Sequence, residues 1–357
     1  MIDLAKLKYD VVAVTQDKRQ LNITDAVSAL GWSEGEKELS AKITLKVANS
    51  TFEGKQLAEL IRPFTPIFIY ATMDGEDAEE VIRGTVTKWQ LVETNKEFYM
   101  QLEAADETQA LRKNQDQFFF SDDHGSKKIL EEILSKWGVP HEIQIKDGKH
   151  SKKVYRKKYL CDMIADVLKD LKEKDGGVYF VRAKNGVIQI IPRGTNETIY
   201  HFDIEDNLIR TQESFDVSQI VTRVQVVGKS KDEGHQKVEA TVDGHTDFGV
   251  RQVIYERGDK TTAEEAQTAA KKILDEQGKV KRQTSIEAPD VPTLRKGDRI
   301  RIHSSTGTAY FFVKSIRHNA AQMKMTLELD EDKDKNKELG LVYDTNAADE
   351  SGTSTPP

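Results

Sequence analysis

One cysteine, Cys161, stands in a chain of 357 residues. No internal disulfide can close and no cysteine-ligated zinc site can form. Long apolar runs are also missing. The opening MIDLAKLKYDVVAVTQ lacks the uninterrupted apolar core of a signal peptide, and no stretch approaches the ~20 residues of a membrane span. Net charge is small: 60 acidic residues against 53 basic ones give -7. That excludes bulk attraction to nucleic acid or to an anionic membrane, although a local basic patch can still form. The eight histidines are scattered, and neither HxxxH, HExxH nor GxSxG occurs. Glycine-rich phosphate motifs and tandem repeats of 20 to 50 residues are absent too. These absences leave a chain expected to fold in a cytoplasm, with no arrangement of residues that makes an enzyme, no cofactor site and no metal site.

What is present is alternation. From Glu38 to Ala48, Leu39, Ala41, Ile43, Leu45 and Val47 fall on one face, and Ser40, Lys42, Thr44 and Lys46 on the other. That is the period of a half-buried antiparallel strand. Pro66 to Thr72 is a more continuous apolar strand, followed by the acidic turn Met73-Asp74-Gly75-Glu76-Asp77 and a new strand at Val81 to Val86. Phe98 to Ala104 continues a meander, for which a β-sandwich or small barrel is the economical reading.

Near residue 110 the period changes. Ser126 to Trp137 places Ile129, Leu130, Ile133, Leu134 and Trp137 on one helical face, with Gly138 just past its end and Pro140 beyond. Tyr159 to Glu173 repeats the pattern with Leu160, Ile164, Val167, Leu168 and Leu171. A hairpin is expected around Asn185-Gly186. Strands return after residue 200, interrupted by one helix that opens with the capping box Thr262-Ala263-Glu264-Glu265. The turn Arg295-Lys296-Gly297-Asp298 leads into three closing strands. The expected organisation is therefore a β-rich α+β chain of three parts with boundaries at 1–110, 111–200 and 201–335, and a disordered tail at 336–357.

Few residues invite a chemical role. Asp122-Asp123-His124 resembles an acid/base or metal cluster, but it lies immediately before a helix, where carboxylates satisfy free N–H groups. Cys161 falls beside the apolar stripe of its helix, where a lone cysteine behaves as a small hydrophobe. His201 is the next histidine, and nothing in the sequence brings the two together. Paired acids such as Glu131-Glu132 and Glu264-Glu265 read as solubilising charge on helix faces. One cluster is harder to set aside. Lys146, Lys149, Lys152, Lys153, Arg156, Lys157 and Lys158 fall within thirteen residues that hold a single acid, Asp147, with Tyr155 and Tyr159 interleaved. The plain account is a solvated loop before a helix; the functional one is contact with an anionic partner, an acidic protein surface before a duplex. Gly297-Asp298 invites comparison with the start of a LysM cell-wall module, yet Ile300 and Ile302 alternate as a strand, and a turn between strands is the better account.

Several features then read together. They are Arg83-Gly84-Thr85-Val86 after an acidic turn; Leu102 to Asp106, leading to Leu111-Arg112-Lys113-Asn114 and Phe118-Phe119-Phe120; the helix Ile129 to Trp137 with Gly138-Val139-Pro140; Val217 to Val227; and Leu294 to Ile302 with Gly297-Asp298. In that order and spacing, from about residue 5 to 330, they resemble the XkdQ/YqbQ-like proteins of defective and temperate phages of Gram-positive bacteria. Those are similar to the late control D proteins, the baseplate hubs of contractile tails. The resemblance implies two tube-like antiparallel β-barrel or sandwich domains, 1–110 and 201–335, flanking the α/β insertion domain 111–200. Gly84, Asp106, Gly138, Gly297 and Asp298 become structural positions of the pattern. It also implies a homotrimer between a sixfold tail tube and a threefold spike, in contact with tube, spike and other baseplate or tape-measure proteins. DNA would be met only in passage through a lumen, with no membrane and no cofactor. Such a chain is made in the bacterial cytoplasm and then joins a virion or tail-like particle. Some relatives are described as cell-wall hydrolases, so a peptidoglycan-binding or hydrolase tail component is the alternative, although no catalytic motif here matches one.

Overall fold

The computed structural model describes residues 4–36, 38–228, 236–258 and 261–341. The chain divides into two compact units, one running to Thr211 and resuming at Ser285, the other Gln212–Thr284. The first strands are β1 (Lys8–Val14), β2 (Gln20–Asn22), β3 (Val27–Glu34) and β4 (Lys42–Ala48). A small hairpin of β5 (Thr51–Phe52) and β6 (Lys55–Gln56) leads through α1 (Leu57–Leu60) to β7 (Pro66–Thr72), β8 (Glu79–Glu93) and β9 (Phe98–Ala105). The expected alternation is realised in β4, where Ile43, Leu45 and Val47 are buried among Leu7, Val11, Ile67, Ile69, Met100 and Leu102. Gly84 is required by a close approach: a Cβ there would lie 2.8 Å from the Ala105 carbonyl oxygen of the neighbouring strand.

The next stretch carries the helices. It comprises α2 (Gln109–Lys113), β10 (Gln115–Phe120), α3 (Ser126–Lys136), β11 (His141–Ile143), β12 (Lys153–Tyr159), α4 (Leu160–Asp175), β13 (Tyr179–Lys184) and β14 (Val187–Pro192). Ile129, Leu130, Ile133 and Leu134 of α3 meet Leu160, Met163, Ile164 and Val167 of α4 in one apolar cluster. Trp137 leaves the expected face: it closes the helix, stays 40% exposed and donates its indole N–H to Asp116 at 3.0 Å. Gly138 follows with φ +61 and donates to Ser135, while Val139 donates to Leu134, the paired bonds of a glycine-terminated helix. Asn185 and Gly186, with φ of +51 and +80, turn β13 back into β14.

After β15 (Tyr200–Asp203) and β16 (Arg210–Asp216), the smaller unit forms a three-stranded sheet. Its strands are β17 (Arg223–Val227), β18 (Val238–Asp243) and β19 (Gln252–Glu256), with β17 central, antiparallel to β18 and parallel to β19. Helix α5 (Ala263–Gln277) lays Ala266 and Ala270 on Val221, Val224 and Val226. Thr262 and Glu265 form its reciprocal cap as the sequence predicts.

The chain closes with β20 (Lys281–Pro289), β21 (Arg299–Ser304), β22 (Gly307–Asn319) and β23 (Lys324–Glu331), then α6 (Lys333–Glu338). This last helix runs past residue 336 because Asp332 caps it and the buried Asn336 side chain bonds the Tyr310 backbone. Residues 342–357 of the expected tail lie outside the described residues. The antiparallel β22–β3 pair joins the closing strands to the opening ones in a 13-stranded sheet, ordered β16-β20-β23-β22-β3-β4-β9-β8-β7-β1-β2 with β21 and β15 branching from β22. The molecule is strand-rich with large antiparallel sheets, and no closed barrel forms among the described strands.

Candidate functional site

Within the larger unit, polar groups converge where the turn before β21 meets β3 and β13. Gly297 adopts φ +91, a conformation open to glycine, and its Cα faces the Phe180 ring, which a Cβ would approach to 2.9 Å. The turn is held on both sides: Gly297 donates to Val313 and Val313 to Asp298, each at 2.9 Å. This geometry turns the three charges of the turn, Arg295, Lys296 and Asp298, inward. The Arg295 guanidinium ion-pairs with Glu34 at the end of β3 and donates to the Ala183 carbonyl at 3.1 Å. Lys296 donates to the carbonyls of Glu38 at 2.8 Å and Gly35 at 3.2 Å. Asp298 accepts from Arg182 of β13 and from the Arg295 backbone N–H, both at 2.9 Å.

All three turn residues and Glu34 are buried. Burial works against the Glu34 carboxylate, yet Arg295, Lys296 and Arg182 outweigh it and hold the group below the usual carboxylate range. Burial pushes Asp298 up, with Arg182 opposing, and pulls Lys296 down, with Glu34 and Asp106 opposing. Asp106 lies nearby in the fold, immediately after β9. It accepts from Ser40 at 2.9 Å and from the Thr108 N–H and hydroxyl, and burial pushes its carboxyl up. A hollow of about 60 Å³ beside the network is lined by Arg83, Glu107, Arg182 and Arg295 among others. Small-ligand pockets run to roughly 300–1,000 Å³, so this one has room for waters and not for a substrate. The arrangement positions backbone; it does not expose a reacting group.

A second buried set ties β1, β3 and β22 together. His318 and Asp290 are fully buried and bonded at 2.6 Å, Tyr9 donates to the other Asp290 oxygen at 2.6 Å, and Trp32 stacks on the His318 ring at 4.4 Å. The second His318 nitrogen faces the Leu294 carbonyl at 3.2 Å, so both ring nitrogens have a polar neighbour. Burial, then Asp290, pushes the Tyr9 hydroxyl far above its ordinary range. Neither set was legible in the sequence, because the partners lie far apart along it.

The basic cluster is not a loop throughout. Lys153 to Lys158 lie in β12, which pairs with β10 in a two-stranded ribbon. Lys153 turns inward to Asp166 and Asp170 of α4, at 2.7 and 2.9 Å, and Tyr155 donates to Asp166 at 2.8 Å. The i, i+4 spacing of those two aspartates on a helix was the available signal. Lys158 lies over the Tyr155 ring and Lys152 over the Phe119 ring. Lys146, Lys149, Lys152, Arg156 and Lys157 are exposed. Register breaks between Asp116 and Phe118, so that Gln117 faces both Arg156 and Lys157, and Lys157 takes φ +50. This bulge points two cations outward together.

The remaining candidates resolve differently. Helix α3 is capped from another direction than expected: Asp147 accepts the Lys127 N–H at 3.0 Å, while Asp123 bonds Ser121 and His124. Burial, then Asp162, pushes the Cys161 thiol up, opposite to the shift that activates a nucleophile. Among the described residues no group of three or more His, Cys, Asp or Glu is placed to hold a metal ion, and no helix is long and apolar enough to cross a membrane.

The chain matches the YQBQ-like family model over residues 39–330. It belongs to that family. No curated protein matches this YQBQ-like chain. Solved structures do. The 43 kDa tail protein of prophage MuSo2 from Shewanella oneidensis has a TM-score of 0.63 at 12% identity, covering 90% of this chain and 98% of that one. A tail protein from Neisseria meningitidis MC58 gives 0.62 at 11%, covering 91% and 97%. An Escherichia coli component of the type VI secretion system, described as structurally similar to the T4 bacteriophage tail proteins gp27 and gp5, gives 0.51 at 8%, covering 93% and 76%. At such identities the shared property is the fold.

Proposed function

We propose that this YQBQ-like chain is a non-catalytic structural protein of a phage-type tail, acting as the baseplate hub. The observation that carries the reading is coverage: nine-tenths of the chain takes the fold of two tail proteins and spans nearly all of each. Three copies form a ring that adapts a sixfold tail tube to a threefold spike. The β-rich parts 1–110 and 201–335 serve as tube-like domains, and 111–200 is the insertion between them. Hydrogen bonding of β3 to β22 supports this plan, since it makes the opening and closing strands one surface. Gly84, Asp106, Gly138, Gly297 and Asp298 serve the fold, each at a close approach, a helix stop or a buried turn. Tube, spike and other baseplate or tape-measure proteins are the partners, and DNA is met in passage through the lumen. Tails purified from a producing strain are expected to contain the chain at three copies per particle, as a ring at the tube end. A chain that stays a free monomer and never co-sediments with tails would refute the reading.

A further inference from the structure

We propose that copies of this chain join head to tail, the acidic hairpin tip between β7 and β8 of one copy seating on the basic bulge of β12 in the next. The inference rests on the hub reading and names its subunit contact. Both halves are built features. Asp74 and Gly75, with φ of +52 and +82, close a tight turn in which the Glu76 N–H donates to Met73 at 2.9 Å. That turn presents Glu76, Asp77 and Glu79 to solvent, with no basic residue from 73 to 82. On the other half, the bulge at Arg156–Lys157 holds a lysine in the left-handed region, a conformation that costs about 1 kcal/mol or more. Lys153 is neutralised internally by Asp166 and Asp170. Among the described residues Arg156 and Lys157 have no carboxylate partner, and no ion pair joins them to Glu76, Asp77 or Glu79 within one copy.

A second copy fits the bulge better than nucleic acid does. The chain's own tip supplies complementary charge in Glu76, Asp77 and Glu79. Phe119, 61% exposed, is no open stacking platform, because Lys152 lies over its ring at 5.2 Å and Val154 sits directly across the ribbon. A contact between two different surfaces of identical subunits is heterologous, the kind that closes into a ring when its rotation permits.

The test uses the full chain in assembled tails, on a Cys161→Ser background. Asp77→Cys with Lys157→Cys should give disulfide-linked oligomers under mild oxidation, and neither single variant should. In parallel, Arg156→Glu with Lys157→Glu should lower tail yield about tenfold or more, with Asp77→Lys and Glu79→Lys restoring it in the combined variant. Cross-linking of the pair, or rescue by the combined reversal, supports the contact. Tails that contain the double-cysteine chain without cross-links overturn it while leaving the hub reading intact, and so does charge reversal without effect or without rescue. DNA retardation that the bulge reversal abolishes would assign the bulge to nucleic acid and overturn the contact as well. Absence of the wild-type chain from tails would instead remove the hub reading beneath it.

Discussion

Replacing Glu34 with glutamine keeps the side chain's shape and removes its charge, leaving the buried Arg295 guanidinium without its ion-pair partner. Breaking a buried pair from one side costs about 3–5 kcal/mol, because the remaining charge is stranded away from water. In a unit of this size each kcal/mol lowers Tm by roughly 2–4 °C, so Glu34→Gln should lower the melting of the larger unit by roughly 10 °C. Arg295→Met strands the carboxylate and should cost a similar amount. The double variant should recover at least about 2 kcal/mol relative to the sum, since neither Glu34 nor Arg295 is then left buried without the other. Calorimetry or circular dichroism on the four proteins of this cycle measures the coupling. The sign of the pH dependence adds a check. Glu34 is held below its usual range, so its contribution is present above the unfolded value near ~4.3 and is lost as pH falls through the depressed folded value. Glu34→Gln should flatten that acid limb. A shift in Tm below about 2 °C, or single costs that add to within about 0.5 kcal/mol, would refute the argument.

Gly297→Ala should destabilise the same unit by about 2–4 kcal/mol, because alanine at φ +91 is strained and its Cβ meets the Phe180 ring; a neutral result in urea unfolding would remove the strain argument. Asp290→Asn should cost about 1–3 kcal/mol through a disrupted buried hydrogen bond and change the emission of Trp32, which stacks on His318; unchanged fluorescence and stability would show that the contact is idle. Burial opposes the ionised forms of Asp166 and Asp170, yet Lys153 with Tyr155 or His150 holds both low. Their support of β12 is therefore present above the unfolded aspartate value near ~3.9 and lost as pH falls through the depressed folded values. Hydrogen exchange of β12 should accelerate in that acid window in the wild-type chain. In Asp166→Asn with Asp170→Asn it should be fast at neutral pH too.

Local rules carried the sequence reading where the cause is local. Alternation placed β4, the Asn185-Gly186 pair placed its hairpin, and the Thr262 box and Gly138 placed one helix start and one helix stop. Each depends on side-chain period or backbone conformation within a few residues. The polar networks depend on pairings that local pattern does not encode. Glu34 and Arg295 are 261 residues apart, and Arg182 and Asp298 are 116 apart. The basic cluster read as one uniform run because alternation within a strand hides its consequence: Lys153 and Tyr155 point to the helix, while Arg156 and Lys157 are turned outward together by a bulge that no composition reveals.

That buried charge should hold the Gly297 turn, where apolar packing could give equal stability, follows from what directional bonds add. Hydrophobic contact tolerates sliding, whereas ion pairs and hydrogen bonds of fixed length are satisfied in one register. The turn bonds β3 through Glu34, the chain after it through Lys296, and β13 through Arg182 and Ala183. Those bonds fix the β13–β14 hairpin, and the apolar cluster it shares with α3, α4 and β12, against the sheet that carries β7 and β8. The basic bulge and the acidic tip thus belong to one compact unit. A heterologous contact closes into a ring when every copy presents its two surfaces at the same angle; spread in that angle yields open chains of mixed length. Loosening the turn should therefore damage closure before it damages folding. At temperatures where Glu34→Gln is still folded, its cross-linked products from the Asp77→Cys and Lys157→Cys pair should shift from closed species to a ladder. An unchanged product distribution would separate the network's role in register from the assembly of the ring.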